Sequence, residues 1–545
     1  MLCLDEESQS SLSCSALSSL RERKYELCLD VVQVICDYCD LRTQITLISS
    51  CEEFYDNLKI KKLDRLNGIT QKILQQKKFD AIKKLNVNCQ SKITNINHLA
   101  NTLIELDCGG ISCGIDQASI KDLKFLQKLD TCNNSRIKSV NHLANTLIEL
   151  NCVGKLCGID QVGIKDLKFL QKLDMYDNYQ IKSVNHLANT LIELNCSGTI
   201  FVNQAGINDL KVLRKLNAFN NANITSVNHL ANTLIELNCG GPFCGINQEG
   251  IKDLKFLQKL TADDNSKIIS LNHLANTLIE LDCTGNCGIN QEGINDLKIT
   301  NLNAYDNSKI TSVNHLANTL IKLYCANNCG INQEGIKDLQ ILQYLYANNN
   351  PKITSVSHLA NTLIKLYCAN NCGINQEGIK DLQVLQYLYA YNNPKIISVS
   401  HLANTLIELD CTNNCGINQE GINDLKITKL NASNNLKITS VNHLANTLIE
   451  LDCAGNCGIN QEGINNLKIT KLCACDNSKI TSVNHLANTL IELKCKRECG
   501  INQEGIKDLQ VLKILYALGN IKIYSVDHLA NTLELDCRYF TCCIS

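Results

Sequence analysis

The hexapeptide HLANTL occurs eleven times, and its first residue accounts for every histidine in the chain: His98, His142, His186, His229, His273, His315, His358, His401, His443, His485 and His528. Successive copies lie 42 to 44 residues apart. A fixed period of that size is the mark of a stacked array, in which one supersecondary unit buries its apolar face only against its neighbours. The repeats fill residues 79–537 of a 545-residue chain. Such an array lengthens by adding units, without enlarging one core, so chain length alone does not demand several domains.

The period divides in two. One half runs Leu278, Leu281, Cys283, Asn286, Ile289 and the other Ile299, Leu302, Ala304, Asn307, Ile310, Val313, Leu316. Both obey a nine-position template, L-x-x-L-x-[L/C/A]-x-x-N, in which positions four and six alternate inward as on a short strand. The template resembles the leucine-rich repeat at 21 to 22 residues per coil. The resemblance implies an α/β fold, a right-handed solenoid of about 22 coils with a parallel sheet on its concave side.

Position nine of the second half-period holds Asn134, Asn178, Asn221, Asn265, Asn307, Asn350, Asn393, Asn435, Asn477 and Asn520, with Gln90 in the first copy. A side-chain amide both donates and accepts, so a stack of them is expected to satisfy backbone groups buried between coils. The 32 cysteines invite a metal reading, because pairs such as Cys283 and Cys287 recur. Zinc, however, requires four ligands in tetrahedral array, and strand alternation turns the first thiol of each pair inward, where a small thiol packs as an apolar residue. The histidines sit in an unchanging phrase beside an inward leucine and read as copied scaffold. No cofactor, metal or catalytic constellation is expected, and the chain does not read as an enzyme.

What varies between copies is concentrated on outward strand positions. Position seven of the second half carries Tyr176, Phe219, Tyr305 and Tyr391, and position five carries Tyr346 and Tyr389. In the first half, Glu105, Glu149, Glu193, Glu236 and Glu280 occupy position three until Lys322 and Lys365 replace them, and Tyr324 and Tyr367 enter position five in the same two copies. Tyrosine offers contact area with a polar tip and few rotamers. Residues 322–391 are therefore expected to form an aromatic, locally basic target-binding patch between acidic flanks on the concave face.

Residues 1–25 read as a flexible start and 538–545 as a tail. Between the start and the array, ELCLDVVQVICDYCDLRTQITLISSCEEFYDNLKIKKL (26–63) resembles an F-box, assigned to 26–75. Leu27, Asp30, Val31, Val32, Ile35, Tyr38, Asp40, Leu41, Leu47, Cys51 and Phe54 fall on the family's pattern, whereas Cys28 stands at its proline and Gln44 at an apolar position. The same helical spacing also describes a plain helical cap. The combination is similar to the F-box/leucine-rich-repeat proteins of giant, mimivirus-like viruses of amoebae. That resemblance implies a cytoplasmic adaptor of a cullin-RING ubiquitin ligase. Leu27, Leu29, Val32, Ile35, Leu41, Leu47 and Phe54 would then dock a Skp-like adaptor, and the repeats would hold an unknown target protein. A repeat scaffold or decoy without a ligase link is the alternative. A self-contained ligase would need a catalytic domain where only RYFTCCIS follows the last strand. A formal net charge of -2 argues against nucleic acid as partner, and no apolar run approaches the roughly 18 residues of a membrane helix.

Overall fold

The computed structural model describes residues 29–64, 69–199, 201–529 and 532–533. Leu27, the starting segment 1–25 and the tail 538–545 lie outside these. Three short helices come first: α1 (Leu29–Tyr38), α2 (Leu41–Ile48) and α3 (Glu52–Asn57). Helix α2 begins where Asp40 Oδ1 accepts from the Thr43 N–H at 2.8 Å, a side-chain cap for an otherwise unpaired donor. Val32, Cys36, Leu47 and Ile48 close the small core of these helices, and Leu58 is likewise buried just after them.

The described residues from Lys62 to Leu529 build a leucine-rich-repeat solenoid. The chain falls into two compact units, Met1–Phe256 and Leu257–Ser545, the first carrying the strands from Lys62–Leu63 to Glu236–Asn238 and the second those from Lys259–Thr261 to Ile514–Tyr516. Within each unit successive strands pair in parallel and in register, as in Lys128↔Glu149, Leu129↔Leu150 and Asp130↔Asn151. The central leucine of each three-residue strand is buried and its neighbours face outward, which is the alternation the template requires.

Each coil turns off its strand at position eight, where one residue adopts the left-handed region, for example Asn133 at φ 52°, Asn392 at 55° and Gly154 at 102°. Asparagine, aspartate and glycine tolerate that conformation best and hold almost every such position; Cys89 and Arg497 are the departures. The return leg of the first half-period is a single turn such as Gln376–Ile379, capped by Asn375. Its Gly378 lies so close to the previous coil that an added Cβ would stand 2.3 Å from the Thr354 carbonyl oxygen, so the QEG phrase is an imprint of coil spacing. The HLANTL leg opens with a 3-10 turn, as at Asn141–Leu143.

Polar side chains stitch the coils. The ten position-nine asparagines are all buried. Asn393 is representative: its Nδ2 donates to the carbonyls of Cys368 and Ile374 at 2.8 and 3.1 Å, and its Oδ1 accepts from Lys395 N–H at 3.0 Å. A glutamine forms a second ladder. Gln376 Oε1 accepts from Ile397 and Ser398 N–H at 2.9 Å each, and its Nε2 donates to the Ser398 carbonyl at 3.0 Å. The histidines form a third: His142 Nε2 lies 2.9 Å from the Ile120 carbonyl oxygen, and since a carbonyl only accepts, that nitrogen carries the proton. All three ladders join the two coils of one period. Across periods the asparagine before the histidine does the work, with Asn314 Nδ2 donating to Glu334 O at 2.7 Å and its Oδ1 accepting from Asp338 N–H at 3.2 Å. Ser357 and Ser400 replace it in two copies and keep only longer donor contacts, 3.3 Å to Glu377 O and 3.4 Å to Glu420 O.

The strand cysteines Cys108, Cys283, Cys411 and Cys453 are buried, and burial pushes their thiols well above the ordinary range. Their partners on the turn are buried too, Cys287 being raised to about 11 mainly by burial. Such thiols are packing groups, inert as nucleophiles. Among the described residues no group of three or more His, Cys, Asp or Glu is placed to hold a metal ion.

Two expectations follow. Asn393→Ala leaves two buried carbonyls and one amide unpaired, a loss of about 2 kcal/mol, and hydrogen exchange at the Lys395 amide accelerates before the rest of the coil opens. The pH dependence is set by the imidazoles. Burial is the first cause lowering the pKa of His142, His186, His358 and His401 below 6.5, so the unfolded chain binds more protons below that value. Stability is therefore complete above about pH 6.5 and declines as the pH falls toward the depressed folded values. Thermal melts at pH 7.5 and 5.5 show a lower Tm at the acidic value, and His358→Gln narrows the gap.

Candidate functional site

The outward face of the sheet is built from positions three and five of each strand. Along most of each unit, position three alternates lysine and glutamate. Lys172 lies 3.4 Å from Glu193 and 4.0 Å from Glu149, Lys215 lies 2.8 Å from Glu236, and Lys429 lies 3.2 Å from Glu408. These pairs are solvent-exposed, and each contributes under about 1 kcal/mol. Their effect is to balance the charge of position three. Position three on the flanks of the tyrosine region is thus of mixed charge, because the lysines of one half-period fall between the glutamates of the other, while position five adds the carboxylates of Asp282, Asp410 and Asp452.

In the second unit this alternation breaks. Strands Lys322–Tyr324, Tyr344–Tyr346, Lys365–Tyr367 and Tyr387–Tyr389 are neighbours in register. Position three reads Lys322, Tyr344, Lys365, Tyr387, and no described carboxylate lies within ion-pair distance of either lysine. Their ammonium groups sit over rings instead: Lys322 Nζ is 5.3 Å from the centre of Tyr344, and Lys365 Nζ is 5.1 Å from both Tyr387 and Tyr389 and 5.3 Å from Tyr367. Both are within cation–π range.

Position five carries a continuous aromatic stack. Ring centres are 4.0 Å apart for Tyr324 and Tyr346, 4.3 Å for Tyr346 and Tyr367, and 4.1 Å for Tyr367 and Tyr389, with interplanar angles of 11°, 17° and 4°. The spacing is that of adjacent strands, slightly tightened by ring contact. Burial raises the phenols of Tyr346 and Tyr389 above their ordinary range; Tyr346 is also raised by hydrogen bonding to Tyr324, and Tyr389 by the neighbouring Glu408 charge. Each therefore stays a neutral hydroxyl.

These tyrosines displace residues with a structural task. On most other strands position five is Asp or Asn, whose side chain accepts from the backbone N–H two residues on; Thr261, Cys473, Lys494 and Tyr516 are the other departures. Asp130 does so with Cys132 at 2.8 Å, Asn217 with Phe219 at 3.1 Å and Asp410 with Thr412 at 3.1 Å. A phenol cannot reach back in that way, so four consecutive strands forgo the contact.

The expected site residues do not all meet. Lys322, Tyr324, Tyr346, Lys365, Tyr367 and Tyr389 come together as described. Tyr391 lies beside them but outside the stack, its hydroxyl accepting from Asn348 Nδ2 at 3.4 Å. Tyr305 is 40% exposed and its hydroxyl meets Asn327 Nδ2. Tyr176 and Phe219 belong to the first unit, on other coils. Tyr344 and Tyr387 were missed, because position three was read in only one half of each period; reading both halves in register exposes them. In the N-terminal helices, Val32 and Leu47 are buried at 3% and 6% exposure, and Leu29, Ile35, Leu41 and Phe54 are half-buried. Val31, Val34 and Tyr38 are the apolar side chains of α1 that face solvent, Tyr38 at 80%.

No family model matches the sequence, and no curated protein matches it. Similar solved structures include a leucine-rich-repeat protein of Leptospira interrogans, 20% identical over 82% of this chain and 96% of that one, with a TM-score of 0.33. The functional domain of InlJ from Listeria monocytogenes, which includes a cysteine ladder, is 20% identical over 66% of this chain and 74% of its own, with a TM-score of 0.36. TLR13 in complex with ssRNA13 is 17% identical over 86% and 82%, with a TM-score of 0.42.

The exchange of cap for ring has a measurable signature. Tyr346→Asn loses two ring contacts of about 1 kcal/mol each and regains a backbone cap of similar size, a net loss of about 1 kcal/mol. Denaturant unfolding checks this; a loss of about 3 kcal/mol or more would make the stack a requirement of the fold and not an addition to it.

Proposed function

We propose that the protein is a non-catalytic binding scaffold whose tyrosine and lysine face, residues 322–391, holds a partner protein. The observation that carries this is the replacement, on four adjacent strands at once, of a structural capping residue by tyrosine, together with loss of the carboxylate partners of Lys322 and Lys365. Drift at exposed positions would scatter substitutions. Here they coincide in register, present aromatic area with hydroxyl tips and leave two cations without counter-charge, a composition typical of interface centres. The partner is expected to bring carboxylates or other acceptors to the lysines and flat apolar area to the rings.

A second reading makes this scaffold the target-binding arm of a cullin-RING ubiquitin ligase of the giant-virus F-box/leucine-rich-repeat type, with the N-terminal helices docking a Skp-like adaptor. It is supported by three short helices placed ahead of the array and by Val31, Val34 and Tyr38 on the solvent side of α1. Proximity of a bound target to a conjugating enzyme would be its whole mechanism.

Affinity capture of the full chain from a host-cell lysate tests both. The combined variant Lys322→Glu, Lys365→Glu, Tyr389→Ala loses the partner bound by the wild type, with a Tm drop of only a few degrees. Retention of the same partner by that variant places binding elsewhere. Recovery of a Skp-like adaptor and cullin, abolished by Val34→Asp with Tyr38→Asp, supports the ligase arm, and their absence from the wild type leaves the scaffold alone.

A further inference from the structure

Most described cysteines of the array are buried; Cys89 is exposed, Cys132 is half-buried, and two more partly exposed thiols stand together near its end. Cys473 and Cys475 occupy positions five and seven of the strand Lys471–Cys473 and its turn, and both are partly exposed on the outward face. Their sulfurs are 3.8 Å apart, with the Cys473 thiol donating to Cys475 Sγ. Cys475 Sγ also accepts from the backbone N–H of Lys496 at 3.4 Å. In register Cys473 lies between Asp452 and Lys494; Lys494 is paired to Glu492 at 3.0 Å, and Lys496 Nζ rests 5.2 Å from the centre of the Tyr516 ring.

We propose that Cys473 and Cys475 form a hydroperoxide-reactive dithiol, with Cys475 as the attacking sulfur and Cys473 as the resolving one. The Cys475 thiolate attacks one oxygen of the hydroperoxide. The O–O bond breaks, hydroxide or alkoxide leaves, and Cys475 becomes a sulfenic acid. Cys473 sulfur then attacks Cys475 sulfur. The S–O bond breaks, and hydroxide departs with the Cys473 proton as water. Two thiols are oxidised to one disulfide while the hydroperoxide is reduced to water or an alcohol.

Three features support this assignment. The donated Cys473 hydrogen bond, then the Lys496 amide and ammonium, hold the Cys475 thiol below the ordinary range, against the effect of its partial burial; the same hydrogen bond raises Cys473, which stays protonated during the first step and gives up its proton as it attacks in the second. Thiolate character with access is what selects a cysteine for oxidation, and the ladder thiols such as Cys453 and Cys495 have neither. The pair is also within reach of closure. Residues two apart on an extended chain have Cα atoms about 6.6 Å apart, at the upper edge of what a disulfide spans, and the chain is already turning at Cys475. A bridge at that limit is readily reduced again, which suits a reversible response.

The test uses the full chain and hydrogen peroxide at neutral pH, with alkylation and tryptic mass spectrometry. Cleavage after Lys471 and Lys479 isolates LCACDNSK, which carries both sulfurs. At limiting peroxide this peptide loses two hydrogen atoms before the peptide containing the exposed Cys89 changes, and dithiothreitol restores it. In Cys473→Ser, Cys475 stops as a sulfenic acid captured by dimedone, at least about tenfold faster than Cys89. In Cys475→Ser, Cys473 stays reduced at the same dose. If LCACDNSK remains reduced while Cys89 oxidises, or if dimedone captures the two cysteines equally in Cys473→Ser, the proposal fails. A Cys473→Ser chain that melts with the wild type rules out unfolding as the source of reactivity.

Discussion

A coil of 21 or 22 residues cannot satisfy its own backbone. Its strand is three residues long, its return leg is a turn or two, and the carbonyls and amides between them face the next coil, where water does not reach. Everything else in the array depends on how those groups are paired. Nearly all unpaired buried backbone groups in proteins find some partner, and here the partners are side-chain amides and imidazoles placed once per period. The apolar residues at positions one, four and six supply the driving force for stacking. The amides set its spacing, because a 2.8 Å hydrogen bond from Asn393 to Cys368 O admits little slippage.

This division explains why the phrases barely change. HLANTL and NQEG carry the joints of the stack, and each residue of a joint touches backbone, whose geometry is the same in every copy. Gly378 against the Thr354 carbonyl is the extreme case. The outward positions of the strand touch their equivalents on neighbouring strands and, at position five, their own turn, so they differ more freely so long as the row stays self-compatible. Lysine beside glutamate is one such solution and stacked tyrosine beside lysine is another. Variation between copies is concentrated in those rows and in the turn after the first strand, which reads GGIS, VGKL, SGTIF and GGPF in four early copies.

Much of this was legible in the residues. The period, the template and the asparagine ladder are visible because each is a single residue type at a single spacing, tied to a periodicity of the backbone. The tyrosines were legible one at a time, and their neighbourhood followed from strand spacing. The lysines facing the flanking glutamates were not, because the partners of Glu280 and Glu408 come from the alternate half-period about 21 residues away, and a reading confined to one half sees only the carboxylates. The glutamine ladder was hidden for a related reason. Gln376 sits in a polar phrase that looks like loop, and nothing local shows that its amide is spent on Ile397 and Ser398. In the N-terminal helices, apolar spacing identified helical faces but not which face turns inward: Val32 does and Val31 does not.

The two serine joints give the array an uneven stiffness. Asn, Gln and His bind the two coils of each period into a block, and a two-pronged asparagine ties most blocks to the next. At Ser357 and Ser400 that tie is reduced to longer contacts from one hydroxyl, Ser357 reaching both Glu377 O and Gly378 O and Ser400 reaching Glu420 O. Both seams lie among the coils that carry Tyr346, Tyr367 and Tyr389. Bending strain applied to a chain of blocks collects where the joints are most compliant, so this stretch of sheet adjusts its curvature at lower energy than its surroundings. A stack of parallel rings can slide slightly without losing contact, and it rides on that bend. The proposed binding face thus lies beside joints with weaker side-chain ties than those of the asparagine copies.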